Sequence, residues 1–234
     1  MLIVIRKISI GVFQLLDDRS NILFMMRDNV KMRGRTSKNG LPFEDTRTLL
    51  IQRALELWTE RGFNGTGLSE LLKGAGVPKG SFYHYFASKE DFAQAVIESY
   101  SDYLSNKLET HFAQTGLSPM KRLKSFVTDA EQGLEKYEFR RGCLVGNLGQ
   151  ELAGMDASLR LPLSEAFSRW EKQLTHLLLE AQLTGELAEG LEAGELAKFF
   201  WMGWEGAILR ARLERSAEPL RSFTTQFFNF CSTG

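Results

Sequence analysis

The sequence has few cysteines, few histidines and no net charge. Its two cysteines, Cys143 and Cys231, form no CxxC pair, which excludes a disulfide framework and a cysteine zinc site and indicates a reducing cytoplasm. The three histidines belong to no HExxH motif, and GxSxG and phosphate-loop motifs are missing. We therefore expect no metal, no cofactor and no catalytic residues.

Long apolar runs are also missing. No run approaches the roughly 18 apolar residues that a membrane span needs. The first 30 residues begin with an apolar stretch, but Arg6 and Lys7 interrupt it and no small-residue cleavage site follows. Residues 31–42 are basic and rich in turn formers. We expect residues 1–43 to be a non-core, disordered extension with a basic arm, or else to include an extra docking helix.

Charge is unevenly distributed although it sums to zero. Residues 31–89 hold ten basic residues against five acidic ones, whereas from residue 90 onward 21 acidic residues face 15 basic ones. A basic front joined to an acidic body suggests two functions in one chain.

Apolar residues recur at helical spacing along most of the chain, and no segment shows strand alternation, so the predicted fold is all-α. The predicted helices span about 45–61, 78–85, 88–113, 143–152, 156–183, 192–215 and 217–231, with a two-turn helix on Leu68, Leu71 and Leu72 and a helical run after Pro119 that includes Tyr137. Two short helices around the glycine turn at 74–76, braced by longer helices, indicate a helix-turn-helix at about 67–86.

The second short helix carries side chains that suit a DNA major groove. Basic, hydroxyl and imidazole groups can donate to bases or phosphate, a glycine allows close backbone approach, and tyrosines can pack on sugar. These residues are Lys79, Gly80, Ser81, Tyr83, His84 and Tyr85. Lys89 would add an anion site at the start of the next helix. Phe82 and Phe86, one turn apart, are expected in the core, and the alternative is that all four aromatic residues are core.

Three segments resemble the DNA-binding signature of the TetR family of bacterial one-component regulators: GFNGT from Gly62, LSELL from Leu68 and AGVPKGSFYHYFASKE from Ala75. The resemblance implies a homodimeric repressor that binds double-stranded operator DNA through three N-terminal helices, with a ligand pocket and dimer interface in the C-terminal helices. It implies a DNA-binding domain at 44–104 and an effector-binding and dimerisation domain at 105–234, and adds Thr66 and Ser69 to the expected DNA contacts. Gly67 departs from the family, which commonly has a capping Ser or Thr there.

RGCLVGNLGQEL from Arg141 and LRARLERSAEPL from Leu209 resemble a TetR subgroup that includes repressors of N-ethylmaleimide reductase and of acrylate-utilisation operons. In that subgroup the cysteine of the GCL motif is implicated in sensing electrophiles or oxidants, which implies that role for Cys143. Arg140 and Arg141 would lower the pKa of this thiol and favour the thiolate. The alternative is that Cys143 is a small buried hydrophobe. We expect Cys231 to be dispensable.

Aromatic residues concentrate on two later helices, where Trp201 and Trp204 form either an effector pocket or ordinary core and interface packing. Arg210 and Arg212 would either hold an anionic effector or lie in solvent. The predicted function is a repressor released from a palindromic operator by a small molecule or a reactive electrophile, with no membrane partner. Two alternatives stay open: an architectural DNA binder without effector control, and a cysteine-dependent enzyme.

Overall fold

A computed structural model describes residues 43–152 and 157–232, which form nine α-helices and no strand. The prediction of an all-α fold is confirmed. The helices are α1 (Phe43–Arg61), α2 (Leu68–Gly74), α3 (Lys79–Phe82), α4 (Lys89–Phe112), α5 (Pro119–Lys136), α6 (Leu144–Leu152), α7 (Ala157–Leu183), α8 (Ala193–Glu214) and α9 (Glu218–Cys231). Of the extension and arm predicted for residues 1–43, residues 1–42 lie outside the described residues, and Phe43 begins α1.

An aromatic cluster joins α1, α3 and the start of α4. The Trp58 ring lies 5.0 Å from the Phe63 ring and 5.4 Å from the Phe92 ring, both edge-on. The Phe86 ring lies 4.6 Å from that of Phe92. Phe82 and Phe86 are buried, as the one-turn spacing predicted. The short helices are therefore held by this core rather than by their own length, since helices of one or two turns are unstable alone.

A glycine turn sets the angle between α2 and α3. Gly76 has a φ of +65°, its N–H donates to the Lys73 carbonyl at 3.2 Å, and the Val77 N–H donates to the Leu72 carbonyl at 3.0 Å. These two bonds form a Schellman motif, in which glycine is favoured because other residues rarely adopt a positive φ. The predicted glycine turn of the helix-turn-helix is present.

The start of α4 is capped by two side-chain hydrogen bonds. The Ser88 hydroxyl accepts a hydrogen bond from the Asp91 N–H at 3.0 Å, and the Asp91 carboxylate accepts one from the Ala87 N–H at 2.8 Å. From this cap α4 continues without a break to Phe112. Because the helix crosses residue 104, where the sequence placed a domain boundary, it belongs to both the helix-turn-helix unit and the helices that follow.

The C-terminal helices pack in sequence, α4 on α7, α7 on α8 and α8 on α9. At their centre the Trp170 ring lies 5.3 Å from the Trp201 ring and 6.3 Å from the Tyr100 ring. The Phe200 ring lies 5.1 Å from the Phe227 ring across α8 and α9. None of the helices in the described part of the chain has the length and apolarity needed to cross a bilayer.

Candidate functional site

The helix-turn-helix presents most of its predicted contact residues on the protein surface. Tyr83 is 59% exposed although its ring touches that of Phe82 at 5.3 Å. The exposed predicted residues are Ser69, Lys79, Gly80, Tyr83 and His84, and the half-buried ones are Ser81 and Tyr85. These residues form a polar and aromatic surface. The part of this surface that would enter a DNA groove is α3 and the turn after it.

The α3 helix is shorter than the predicted span of 78–85. Regular α-helix ends at Phe82, and the chain continues in tighter turns in which the His84 N–H donates to the Ser81 carbonyl at 3.1 Å and the Tyr85 N–H to the Phe82 carbonyl at 2.9 Å. The burial of Phe82 and Phe86 on one side forces His84 to the opposite, exposed side. The segment thus keeps a helical shape through Tyr85 without regular hydrogen bonding.

Gly80 has no packing reason to be glycine. A Cβ atom at this position would meet no other protein atom within 4 Å. The space above it is open to a partner, which agrees with the close backbone approach expected from the sequence.

Thr66 is not positioned for the DNA contact that the sequence predicted. Its side chain is only 2% exposed, and its hydroxyl donates to the Gly62 carbonyl at 3.0 Å. A hydroxyl that is buried and bonded in this way cannot also reach a phosphate. Thr66 instead holds the loop between α1 and α2, and its assignment as a direct DNA contact is withdrawn.

Lys89 occupies the first position of α4, as predicted, but it is half-buried. Its ammonium group lies 3.8 Å from the centre of the Phe63 ring, a cation–π distance. Burial lowers the pKa of this amine, with Glu90 and Glu151 opposing that shift. Lys89 therefore combines a packing role in the α1–α2 loop with the position expected for a phosphate contact.

The α1–α2 loop is tied to α6 by a carboxylate. Glu151 accepts hydrogen bonds from the Phe63 N–H at 3.2 Å and from the Asn64 N–H at 2.8 Å. Gly62 has a φ of +79°, and a Cβ there would lie 1.8 Å from the Glu151 Oε1 atom. The loop thus needs glycine at position 62 for its backbone and for the approach of Glu151.

The last carbonyls of α1 are satisfied by two side chains from later helices. Asn147 of α6 donates from Nδ2 to the Trp58 carbonyl at 3.3 Å and the Thr59 carbonyl at 3.1 Å. Arg212 of α8 donates to the Glu60 carbonyl at 3.1 Å and to Asn147 Oδ1 at 2.8 Å. Because the final carbonyls of a helix have no partner within it, these bonds act as a C-terminal cap supplied from outside. Arg212 is therefore not a free surface group, since it bonds both the end of α1 and Asn147.

One face of α6 carries three residues with separate roles. Cys143, Asn147 and Glu151 are four residues apart, so they follow one another along the same side of the helix. Cys143 precedes the helix directly, and its carbonyl accepts the Asn147 N–H at 3.0 Å. The helix thus connects the cysteine to the end of α1 through Asn147 and to the α1–α2 loop through Glu151.

A cavity of about 740 Å³ lies between α1, α4, α5 and α8 and is bordered by Cys143, Trp201 and Trp204. Among the described residues, four buried polar atoms on its lining side chains have no hydrogen-bond partner: Arg53 Nε, Ser99 Oγ, Trp201 Nε1 and Glu205 Oε1. Buried polar groups are normally bonded, so these atoms indicate a site for a partly polar ligand. Trp201 and Trp204 are each 2% exposed, so they serve as core residues as well as cavity wall. Within the described ranges, no group of three His, Cys, Asp or Glu side chains is placed to hold a metal ion.

Cys143 lies at the edge of this cavity in a polar setting. It is 5% exposed, and its sulfur accepts hydrogen bonds from the Gly146 N–H at 3.5 Å and from the Tyr100 hydroxyl. Its thiol donates to the Glu205 carboxylate. Burial raises the pKa of Glu205 from 4.5 to about 7, against the opposing effect of the bond from Cys143.

The expectation that neighbouring arginines lower the pKa of Cys143 is wrong. Burial, followed by the nearby Glu205 carboxylate, raises the pKa of the thiol well above its ordinary value. The Arg141 guanidinium lies 3.9 Å over the Tyr137 ring, and Arg140 is 3.7 Å from the Glu138 carboxylate. Arg140 and Arg141 thus have other partners, although they adjoin the cysteine in sequence.

Sequence reasoning missed the residues that surround Cys143 and the end of α1: Tyr100, Asn147, Glu151 and Glu205. The four-residue spacing from Cys143 was a usable signal for Asn147 and Glu151. Glu205 was also visible as a lone carboxylate within the apolar run FFWMGWEGAIL. No local pattern marked Tyr100, which reaches the cysteine only because α4 packs beside α6.

The outer side of α8 carries an exposed apolar stripe. Its members are spaced alternately three and four residues apart: Phe199, Met202, Gly206, Leu209 and Leu213. Met202 is 67% exposed and Leu213 is 73% exposed. This spacing is typical of a helix that packs against another helix along its whole length. On α9, Phe227 is buried in the chain's own core, whereas Phe230 is 57% exposed and extends the stripe.

Comparison with known proteins agrees with both halves of this architecture. A family model described as "Bacterial regulatory proteins, tetR family" matches residues 50–96. A second, described as "Tetracyclin repressor-like, C-terminal domain", matches residues 119–227.

Individual relatives match over most of their length. The chain is 47% identical to the transcriptional regulator AcuR of Cereibacter sphaeroides over 178 residues, which cover 76% of this chain and 81% of that protein. It is 33% identical to the HTH-type transcriptional repressor NemR of Escherichia coli K12 over 194 residues, 81% of this chain and 95% of that protein. A crystal structure of regulatory protein TetR from Rhodobacter sphaeroides matches with a TM-score of 0.77 and 45% identity, covering 80% of this chain and 98% of that one.

Proposed function

Since this chain belongs to the TetR family and is a DNA-binding transcriptional regulator, we propose that it is a homodimeric repressor released from a palindromic operator by an effector in its cavity. NemR, one of its relatives, is a repressor, which supports this sign of regulation. The observation that carries the proposal is the segment from Cys143 through α6, in which Cys143 borders the cavity while Asn147 and Glu151 bond the DNA-binding unit.

Operator reading is assigned to α3 and the turn after it. Lys79 and His84 are exposed and carry donors, so we assign them to base edges, and we assign the exposed Ser69 and Tyr83 to phosphate or sugar contacts. Gly80 leaves the backbone accessible between them. Ser81 and Tyr85, which are half-buried, contribute at the margin of this surface.

The stripe on α8, with Phe230 of α9, is assigned to the dimer interface. Two copies of α8 and α9 would then pack as a four-helix bundle and remove the exposed Met202 and Leu213 side chains from water. Twofold symmetry places two recognition helices in successive major grooves, so the half-sites should lie about one helical turn apart.

The effector acts either by covalent modification of Cys143 or by noncovalent binding among the unpartnered polar atoms of the cavity. Both modes place new atoms against the start of α6, because Cys143 lies at the cavity edge. A displaced α6 moves Asn147 and Glu151, which hold the end of α1 and the α1–α2 loop. The continuous helix α4 provides a second connection between the two units.

The test measures operator release by gel shift for wild type and Cys143→Ser, each with and without N-ethylmaleimide. A serine hydroxyl is not a comparable nucleophile at neutral pH, so the variant should bind operator normally and resist release. Cys231→Ser is the matched control and should respond as wild type does. Equal release of Cys143→Ser and wild type would end the thiol mode and leave the noncovalent one.

A failure of both modes has a separate signature. If neither electrophiles nor small organic ligands change operator affinity, while binding stays sequence-specific, effector control itself is wrong. If binding depends on salt but not on sequence, the protein is an architectural DNA binder instead.

A further inference from the structure

The Cys143 sulfur sits among groups that suit a nucleophile rather than a buried hydrophobe. Two donors, the Tyr100 hydroxyl and the Gly146 N–H, point at the sulfur and would stabilise negative charge on it. One acceptor, the Glu205 carboxylate, receives the thiol hydrogen. The thiol thus has a defined destination for its proton and two hydrogen bonds ready for the thiolate.

The packing of α6 against α8 fixes this carboxylate in place. A Cβ atom at Gly146 would lie 2.1 Å from the Glu205 Oε2 atom, so the carboxylate rests directly on the α6 backbone one turn after Cys143. Its other oxygen, Oε1, is buried and has no partner in the part of the chain that the structure describes. One turn before Glu205 on the same helix, the Trp201 Nε1 atom is buried and unpartnered as well, and both residues line the cavity.

We propose that Glu205 accepts the thiol proton when Cys143 adds to an α,β-unsaturated carbonyl compound in the cavity, and that the Trp201 Nε1–H binds the carbonyl oxygen of that compound. This inference rests on the covalent mode of the proposed function. It assigns the proton acceptor and the oxygen donor, neither of which follows from the presence of a cysteine alone.

The addition balances without an outside reagent. As the thiol proton moves to Glu205, the sulfur electron pair forms a C–S bond to the β-carbon, and the C=C π pair shifts to leave an enolate. The indole N–H stabilises the negative oxygen of that enolate, as oxyanion donors do. The α-carbon then takes the proton back from Glu205, so the net change is addition of S–H across the double bond and Glu205 ends as a carboxylate.

The electrostatics agree with this role. A carboxyl whose pKa is about 7 is a stronger base than an ordinary glutamate and is still half ionised at neutral pH. The titratable groups that interact with it are the Cys143 thiol from α6 and the Tyr100 hydroxyl from α4. Two cationic residues elsewhere on the cavity wall interact with groups other than Glu205: Arg53 Nη1 pairs with Glu56 at 2.7 Å, and Arg141 lies over the Tyr137 ring.

The experiment measures the rate of Cys143 modification by N-ethylmaleimide in the full chain, followed by peptide mass mapping so that Cys231 is scored separately. Wild type, Glu205→Gln and Glu205→Asp are compared between pH 5.5 and 9, with the exposed α8 variant Glu195→Gln as the control. In wild type the rate should rise through about pH 7 and then level off as Glu205 becomes fully ionised. Glu205→Gln should lose this inflection and react about 100-fold more slowly, and Glu205→Asp should keep the inflection at a reduced rate.

The variant Trp201→Phe tests the role of the indole N–H separately from that of Glu205. It should slow addition of N-ethylmaleimide but not alkylation by iodoacetamide, since displacement of iodide builds no enolate. Equal effects on the two reagents would overturn the role of the indole N–H.

Two results would overturn the role of Glu205: an unchanged rate and profile in Glu205→Gln, or faster modification, which would show that the carboxylate restrains the thiol. If the rate of Cys143 modification in wild type shows no inflection near pH 7, the role of Glu205 is also overturned, even when the variant does not fold. Because adduct formation is measured and not operator release, adduct without release would refute the covalent mode of the proposed function and leave this inference standing.

Discussion

Asn147 is the residue at which the smallest substitution should break the proposed coupling between the cavity and the DNA-binding unit. Asn147→Asp keeps the size of the side chain and its acceptor for Arg212, but it replaces the N–H donors with an oxygen. That oxygen would face the Trp58 and Thr59 carbonyls at 3.3 and 3.1 Å, where hydrogen bonds now exist. The contact between α6 and the end of α1 becomes repulsive, while α3 is untouched.

The size of the effect follows from these two bonds. Each contributes about 1 kcal/mol net, so their loss removes about 2 kcal/mol from the α1–α6 contact. The bond from Arg212 at 2.8 Å becomes an ion pair and returns only part of this, because Arg212 has a second partner in the Glu60 carbonyl. Coupling between sites is typically about 1–3 kcal/mol, so a loss of this size removes most of it.

The assay is operator affinity by fluorescence anisotropy, with and without saturating N-ethylmaleimide. We expect Asn147→Asp to bind operator within about threefold of wild type, whereas the ratio of the two dissociation constants should fall by about 30-fold or to unity. Gln132→Glu, on an exposed part of α5, is the control for adding a charge. If Asn147→Asp keeps the full wild-type ratio, α6 does not transmit the effector signal through the end of α1.

Three further predictions concern the DNA and dimer surfaces. Gly80→Ala should raise thermal stability slightly, because its Cβ meets no protein atom, yet weaken operator binding, and unchanged binding would contradict close backbone approach. Lys89→Ala should weaken binding to all DNA sequences alike and lower the slope of log affinity against log salt concentration by about one. Lys79→Ala should instead change base preference, and anisotropy titrations measure both effects. Met202→Glu should convert a dimer into a monomer by sedimentation, and a monomeric wild type at micromolar concentration would remove the assigned interface.

The fold could be read from the sequence because its signals are local. Apolar spacing predicted the described helices to within about three residues, and the glycine turn lies where the sequence predicted it, around Gly76. Membership of the TetR family and the named subgroup is confirmed by the family models and by AcuR and NemR. Each of these signals lies within one short segment of chain.

The site could be read only in part because its chemistry depends on contacts between distant segments. Two arginines beside Cys143 suggested a lowered thiol pKa, but side chains adjacent in sequence point apart, and burial beside Glu205 decides the outcome. Thr66 likewise matched a contact position, yet the loop turns its hydroxyl inward to Gly62. Glu205 lies 62 positions from Cys143, and only the packing of α8 on α6 brings its carboxylate to the thiol.

The buried Glu205 carboxylate also destabilises the folded state, and this effect gives a last, independent prediction. The folded protein raises its pKa from 4.5 to about 7, chiefly through burial, so between these pH values the folded state holds a proton that the unfolded state has lost. Stability therefore falls as the pH rises from about 4.5 to 7 and stays lower above 7. The shift corresponds to about 3 kcal/mol of destabilisation at pH 8.

Glu205→Gln removes this penalty because the amide stays neutral at every pH. Urea unfolding should show the variant more stable than wild type by up to about 3 kcal/mol at pH 8, with the difference shrinking towards zero near pH 4.5. Glu195→Gln, at a carboxylate exposed on the same helix, should show no such pH-dependent gain. Because a buried carboxylate beside a cysteine lowers folding stability, its presence points to a role in function and not in packing. A difference that is absent or does not vary with pH would mean that Glu205 titrates normally, and its assignment as proton acceptor would lose its electrostatic basis.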